Sequence, residues 1–118
     1  MKRPIALKPK KSKYKNKLVI IDGIKFASIK EGQYYRKLKR LLAAGKISDL
    51  RLQPSFVIAK SVYLDGKKKA ARKYKADFSY IDEHGEYIVV DVKGFRTEMY
   101  KLKRHLVKEL HNIEVVEV

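Results

Sequence analysis

Cysteine and tryptophan are absent from the 118 residues, proline occurs three times, and Asp and Glu together number 13 against 29 Lys and Arg. The missing thiols exclude disulfides, thiolate zinc sites and cysteine nucleophiles, so any metal centre has to be built from oxygen donors or histidine. His84, His105 and His111 lack metal-ligand spacing, which argues against zinc. No segment approaches the roughly 18 consecutive apolar residues of a membrane span. The N-terminus has charge without the apolar stretch of a secretion signal, and the expected location is the cytoplasm, of the host cell if the gene is a phage's. Because no Gly-x-x-x-x-Gly-Lys segment is present, no nucleotide cofactor is expected.

The shortage of acids leaves a formal charge of +16. A surface of this kind repels itself unless a polyanion neutralises it, which makes nucleic acid the leading partner. An anionic membrane is the rival, but its helices need an apolar face opposite their charges, and the basic stretches lack one.

The 45% hydrophobic content suffices for one modest core, with residues 18–118 expected as a single domain. Residues 1–17 carry eight cations, two prolines and no acid, the composition of a flexible basic arm. Its plain role is solubility; its functional one is phosphate contact through Lys10, Lys11, Lys13 and Lys15. Asp22-Gly23 between two short apolar runs predicts a hairpin over residues 18–26. Ser28, Glu31 and Gly45 predict a helix over about 28–44. Strands are expected at residues 50–58, with Pro54 at an edge or bulge, and at 62–64, 74–81 and 86–93. Residues 66–75 hold six cations and no acid and are read as an exposed loop in which Lys67, Lys68, Lys69 and Arg72 meet phosphate. Thr97 caps a helix to about His111, and residues 113–118 end the chain as a strand. A helix linking the last two strands implies a parallel pair. The fold class is α/β, a mixed central sheet flanked by helices in the order α-β-β-β-α-β.

Strand alternation places Tyr87, Val89, Asp91 and Lys93 on one face. An Asp and a Lys ending an apolar strand are costly near a core, although alone they read equally as a surface ion pair. Asp77 joins them through register. If Glu83-His84-Gly85 forms a three-residue loop with Gly85 left-handed, Asp82 pairs with Glu86 and Asp77 falls opposite Asp91. A four-residue loop would put Val90 there instead. Two carboxylates side by side call for a hard divalent cation. Glu31 has two readings. Ser28-x-x-Glu31 is a capping box, yet Glu31 shares a helical stripe with Tyr35, Leu38 and Leu42 at the end of the face expected to dock on the sheet.

Glu31 in Ser-x-x-Glu, Asp77 in Lys-Ala-Asp-Phe, and Asp91-Val92-Lys93-Gly94 together resemble the spaced motifs of PD-(D/E)XK nucleases over about residues 26–118. The chain is similar to small phage-encoded endonucleases that resolve branched DNA, with Ala76 standing where the motif carries proline. The resemblance implies a restriction-endonuclease-like core and hydrolysis of DNA phosphodiesters. Asp77, Asp91, Glu31 and the Val92 carbonyl would hold Mg2+, with Mn2+ able to substitute, and Lys93 would act beside them. Branched DNA, specifically a Holliday junction, is the expected substrate, and its two-fold symmetry calls for a homodimer, through the hairpin near residues 18–26.

In the last helix Met99, Leu102, Leu106 and Leu110 define the expected buried stripe, with Lys103 at its margin near the catalytic face and Lys101, Arg104 and Lys108 pointing outward to DNA. Lys103 reads otherwise as a snorkelling lysine. Gln53 either orients a water or phosphate or is exposed beside Pro54. Other functions compatible with the charge are a nickase or restriction-like phage nuclease working with replication or packaging proteins, and a noncatalytic nucleic-acid-binding protein such as a small ribosome-associated factor.

Overall fold

The computed structural model describes residues 18–118. The basic arm, including Lys10, Lys11, Lys13 and Lys15, lies outside the described residues. The chain divides into two compact units, one ending at Leu41 and the other running from Leu42 to Val118.

In the first unit, strands β1 (Val19–Ile21) and β2 (Ile24–Phe26) pair antiparallel. Asp22 and Gly23 adopt φ of 54° and 77° at the turn, the left-handed pair that a two-residue hairpin requires. Helix α1 (Ile29–Ala43) follows. Its start is a capping box: Ser28 Oγ accepts from the Glu31 N–H at 3.1 Å, and Glu31 Oε1 accepts from the Ala27 N–H at 3.2 Å. The reciprocal bond reaches one residue further back than usual. A glycine inside this helix, Gly32, costs about 1 kcal/mol in propensity relative to alanine. It permits a close approach, since a Cβ there would stand 3.0 Å from Ile21 Cδ1 and 3.3 Å from Val19 Cγ1. Phe26 and Tyr35 stack at 4.9 Å, and the Tyr35 hydroxyl donates to Asp22 Oδ2 at 2.8 Å.

The second unit is built on a four-stranded mixed sheet in the order β10-β9-β8-β3, formed by β3 (Ser48–Leu52), β8 (Phe78–Ile81), β9 (Tyr87–Asp91) and β10 (Val116–Glu117). The β3-β8 and β8-β9 pairs are antiparallel. The β9-β10 pair is parallel, as expected from the intervening helix α2 (Glu98–His111). Thr97 caps α2 by accepting from the Tyr100 N–H at 3.0 Å, and Asn112 closes it in the left-handed region.

Two expected elements take a different form. Residues 50–58 are not one strand: β3 ends at Leu52, and β4 (Ser55–Ala59) pairs with β7 (Arg72–Lys75) in a separate sheet. Residues 74–81 are divided likewise between β7 and β8. One antiparallel register nevertheless runs unbroken through the division, from Arg51↔Ser79 to Val57↔Lys73. Backbone bonds from Gln53 N–H to Asp77 O at 2.9 Å and from Ala76 N–H to Pro54 O at 3.0 Å carry it across. Gln53, with φ of 53°, and the following proline, with no N–H to give, bend the pair there.

The basic segment 66–75, expected as a loop, is stranded. β5 (Val62–Leu64) and β6 (Lys67–Lys69) form a hairpin closed by Asp65 and Gly66 at φ 54° and 75°. The Asp-Gly turn signal was present in the sequence; the run of lysines masked it, because exposed ribbons need no alternation.

Ile58, Tyr74, Ala76, Val89, Tyr100, Val107 and Val115 form the core of this unit, with Phe56, Leu106 and Ile113 at its edge. Tyr100 and Val107 are the buried residues of α2, whereas Met99, Leu102 and Leu110 are more than half exposed. The expected stripe of Met99, Leu102, Leu106 and Leu110 is therefore displaced by one position. Aromatic and β-branched residues, Tyr100 and Val107, occupy the inner face, Leu106 packs at its margin, and Met99, Leu102 and Leu110 lie outside.

Candidate active site

The loop between β8 and β9 has three residues. Asp82 N–H bonds to Glu86 O at 2.9 Å, Gly85 N–H bonds to Asp82 O at 3.0 Å, and Gly85 takes φ of 80°. The Asp82 carboxylate locks the turn by accepting from the His84 and Glu86 N–H groups, both at 2.9 Å. Pairing continues through Ile81↔Tyr87 to Phe78↔Val90, which sets Asp77 opposite Asp91 at the next position.

The backbones and carboxylates of this pair are cross-linked. Asp91 Oδ1 accepts from the Asp77 N–H at 3.0 Å, and Asp77 Oδ2 accepts from the Val92 N–H at 2.8 Å. Lys93 Nζ stands 3.9 Å from Asp91 Oδ2 and 4.3 Å from the centre of the Tyr100 ring. Asp91 is almost fully buried, at 2% exposure. Burial pushes its carboxyl up from the ordinary 3.8 to about 6; the Lys93 charge and the Asp77 N–H oppose the shift, and Glu117 adds to it. Shifts of this kind concentrate at functional sites.

Two tyrosines complete the cluster without having been singled out in the sequence. The Tyr74 hydroxyl donates to Asp91 Oδ2. In a flat strand Tyr74 and Asp77, three residues apart, would face opposite ways, yet the Tyr74 hydroxyl reaches Asp91. The Tyr100 hydroxyl donates to Glu117 Oε2 at 2.8 Å, and burial followed by this bond raises its pKa far above the ordinary value. The same bond is the main cause holding Glu117 below the usual carboxylate range. Alternation counted from Asp77 turns Tyr74 away, so its reach to Asp91 was not legible in the sequence.

Ala76 is buried, and its N–H bonds to Pro54 O. A proline in its place would delete that bond, so alanine suits the paired strand of this chain. Gln53 is exposed; its backbone, not its side chain, touches the site through Asp77 O.

The other expected site residues are distributed as follows. Glu31 belongs to the first unit, where its carboxylate serves the helix cap. Among the described residues no group of three or more His, Asp or Glu gathers as a metal-ligand set. Lys103 is half-buried, whereas Lys67, Lys68, Lys69, Arg72 and Lys101 are exposed, and Lys101 pairs with Glu98 at 3.0 Å. Arg104 departs from its expected outward direction. Its Nε and Nη2 donate to Val115 O at 3.1 and 2.8 Å, and Nη1 lies 3.8 Å from Glu117. With the buried face of α2 centred on Tyr100 and Val107, Arg104 falls between them and ties the helix to the C-terminal segment.

The fold and site define an α/β domain carrying two carboxylates and a lysine where the two central strands of its main sheet, β8 and β9, meet at one end. The chain belongs to the family described as "Protein of unknown function (DUF1064)", whose model matches residues 11–116. No curated protein and no solved structure matches it. No helix among the described residues is long and apolar enough to cross a membrane.

Proposed function

We propose that the protein is a metal-dependent DNA endonuclease with a restriction-endonuclease-like core, acting on branched DNA as a Holliday-junction-resolving enzyme does. The observation carrying this reading is the registered pair of Asp77 and Asp91 with Lys93 beside it. Burying a carboxylate to this extent carries a large desolvation cost, which hydrogen bonds from Tyr74 and the Asp77 N–H and a lysine 3.9 Å away offset only in part, since the carboxyl pKa stays raised.

The donor set suits Mg2+ or Mn2+. These ions take hard oxygen ligands and are commonly held by one or two carboxylates, with substrate phosphate and water completing the shell. Asp77 and Asp91 would be the carboxylates and Val92 the carbonyl. When bound, such an ion lowers the pKa of a coordinated water and offsets the charge of the scissile phosphate. The chain's own residues do the rest. Tyr74 and the Asp77 N–H fix the orientation of Asp91, the Val92 N–H fixes Asp77, and Lys93 places a positive charge where the phosphorane charge develops.

A charge of +16 supports a polyanionic substrate. Leu18 and Ile20, 69% and 66% exposed on the first hairpin, support its use in a homodimer.

The test compares cleavage of a four-way junction, a flap, a mismatch and plain duplex with Mg2+ and Mn2+. Paired cuts near the branch point are expected, and Asp77→Ala, Asp91→Ala and Lys93→Ala should each reduce them at least a hundredfold while junction binding persists. Equal cutting of all four substrates would replace the resolvase reading with that of a less selective nuclease. Binding without cleavage would make the protein a nucleic-acid-binding factor.

A further inference from the structure

We infer that the β5-β6 ribbon is the element that grips the DNA branch point, with Tyr63 and Leu64 covering bases exposed there and Lys67, Lys68, Lys69 and Arg72 holding the flanking phosphates. This deepens the proposed function and rests on its choice of DNA as partner.

Every residue from 59 to 70 is exposed, so neither face of the ribbon is covered within the described chain. A two-stranded ribbon in water is marginally stable by itself and would ordinarily carry polar side chains. This one presents Val62, Tyr63 and Leu64 at 49%, 72% and 56% exposure. Pairing sets a lysine directly across from each: Val62↔Lys69, Tyr63↔Lys68 and Leu64↔Lys67. Cross-strand partners share a face, so apolar and cationic groups stand side by side on both faces. From residue 60 to 75 there are seven cations and a single acid, Asp65, which is a turn residue.

This chemistry matches bases adjoining phosphates. An intact duplex hides base faces in its stack and gives Tyr63 and Leu64 little to cover. Unstacked bases at a branch offer those faces to aromatic side chains, and apolar side chains wedge between opened steps. The ribbon is also tied to the site, because Tyr74 on β7 bonds to Asp91. Seven residues separate Tyr74 from Lys67, at most about 23 Å at roughly 3.3 Å per residue. That span is about seven base pairs at about 3.4 Å each, which places cutting within a short reach of the gripped branch.

The experiment measures fluorescence-anisotropy binding, without divalent cation, to a four-way junction and to a linear duplex of equal length. It compares the wild-type chain with Tyr63→Ala/Leu64→Ala, Tyr63→Trp and Lys67→Ala/Lys68→Ala/Lys69→Ala, each checked for folding by circular dichroism. Wild type should prefer the junction. The Tyr63→Ala/Leu64→Ala variant should lose tenfold or more on the junction and less than twofold on duplex, whereas Tyr63→Trp should retain the preference. The triple lysine variant should weaken on both, its log-log salt slope falling by up to about 2.7. Equal wild-type affinity for both DNAs overturns the inference, as does junction binding unchanged by Tyr63→Ala/Leu64→Ala, or equal loss on both. Self-association or binding to anionic phosphatidylserine vesicles that this variant abolishes, with DNA affinity intact, overturns it in favour of another partner. Because binding is read without cleavage, absence of nuclease activity would refute the catalytic reading and leave this result standing.

Discussion

At the scale of single residues, Asp91 is held in an environment that favours its neutral form. The folded chain keeps its proton to about pH 6, and an ordinary carboxyl releases it near 3.8. Between those values the native state binds more protons than the unfolded one, so stability falls as pH rises through the window and stays low above it. A shift of this size corresponds to about 3 kcal/mol. In the metal-free protein Asp91→Asn should therefore be close to wild type in urea unfolding at pH 3.5 and more stable by up to about 3 kcal/mol at pH 8. A gap that does not widen with pH would show that the buried charge is already compensated. Tyr74→Phe acts oppositely. It leaves Asp91 Oδ2 without the hydroxyl that now donates to it, and losing a bond to a buried charged group costs about 1–3 kcal/mol. If Tyr74 positions Asp91 for catalysis, the variant's cleavage rate should fall about tenfold, with junction affinity unaltered and the pH profile moved toward higher pH.

At the scale of elements, α2 and β10 are fastened by Arg104, whose guanidinium bonds twice to Val115 O. Arg104→Ala should lower stability by about 1–3 kcal/mol in urea unfolding, since charged-group bonds contribute in that range, and should leave the salt dependence of DNA binding unchanged. A reduced slope with unaltered stability would restore Arg104 to the phosphate-contacting set. The error about Arg104 and the α2 stripe has one source: Met99, Leu102, Leu106 and Leu110 repeat at helical spacing as well as Tyr100 and Val107 do. Periodicity alone cannot choose between overlapping faces. The hairpin register was different, because Gly85 and the alternation of residues 87–91 constrain it locally, and the Asp77-Asp91 pairing could be counted from the sequence. Tyr74 was not countable. Strict alternation from Asp77 turns it away from Asp91, and the strand pair is interrupted at Gln53-Pro54, where a glutamine takes the left-handed conformation that elsewhere among the described non-glycine residues falls to Asp and Asn.

Across the whole molecule, the proposed function would divide holding and cutting between regions of different charge. Asp91 is buried and Asp77 half-buried, whereas Lys67, Lys68 and Lys69 are exposed on the ribbon. Lys10, Lys11, Lys13 and Lys15 belong to a stretch of 17 residues carrying half of the formal +16. Each phosphate neutralised contributes about 0.9 to the slope of log affinity against log salt on duplex DNA. If the four arm lysines contact phosphate, replacing them all with glutamine should reduce that slope by up to about 3.6. The loss should be equal on junction and duplex, because phosphate contacts carry no information about branching. The ribbon substitutions Tyr63→Ala/Leu64→Ala should do the reverse, removing the junction preference with the slope intact. Titrating both variants from 50 to 300 mM salt distinguishes the contributions. An arm variant whose slope equals wild type would mean that the N-terminal charge serves solubility and that DNA is held by cations outside the arm; one that loses junction preference would give the arm a part in recognising the branch.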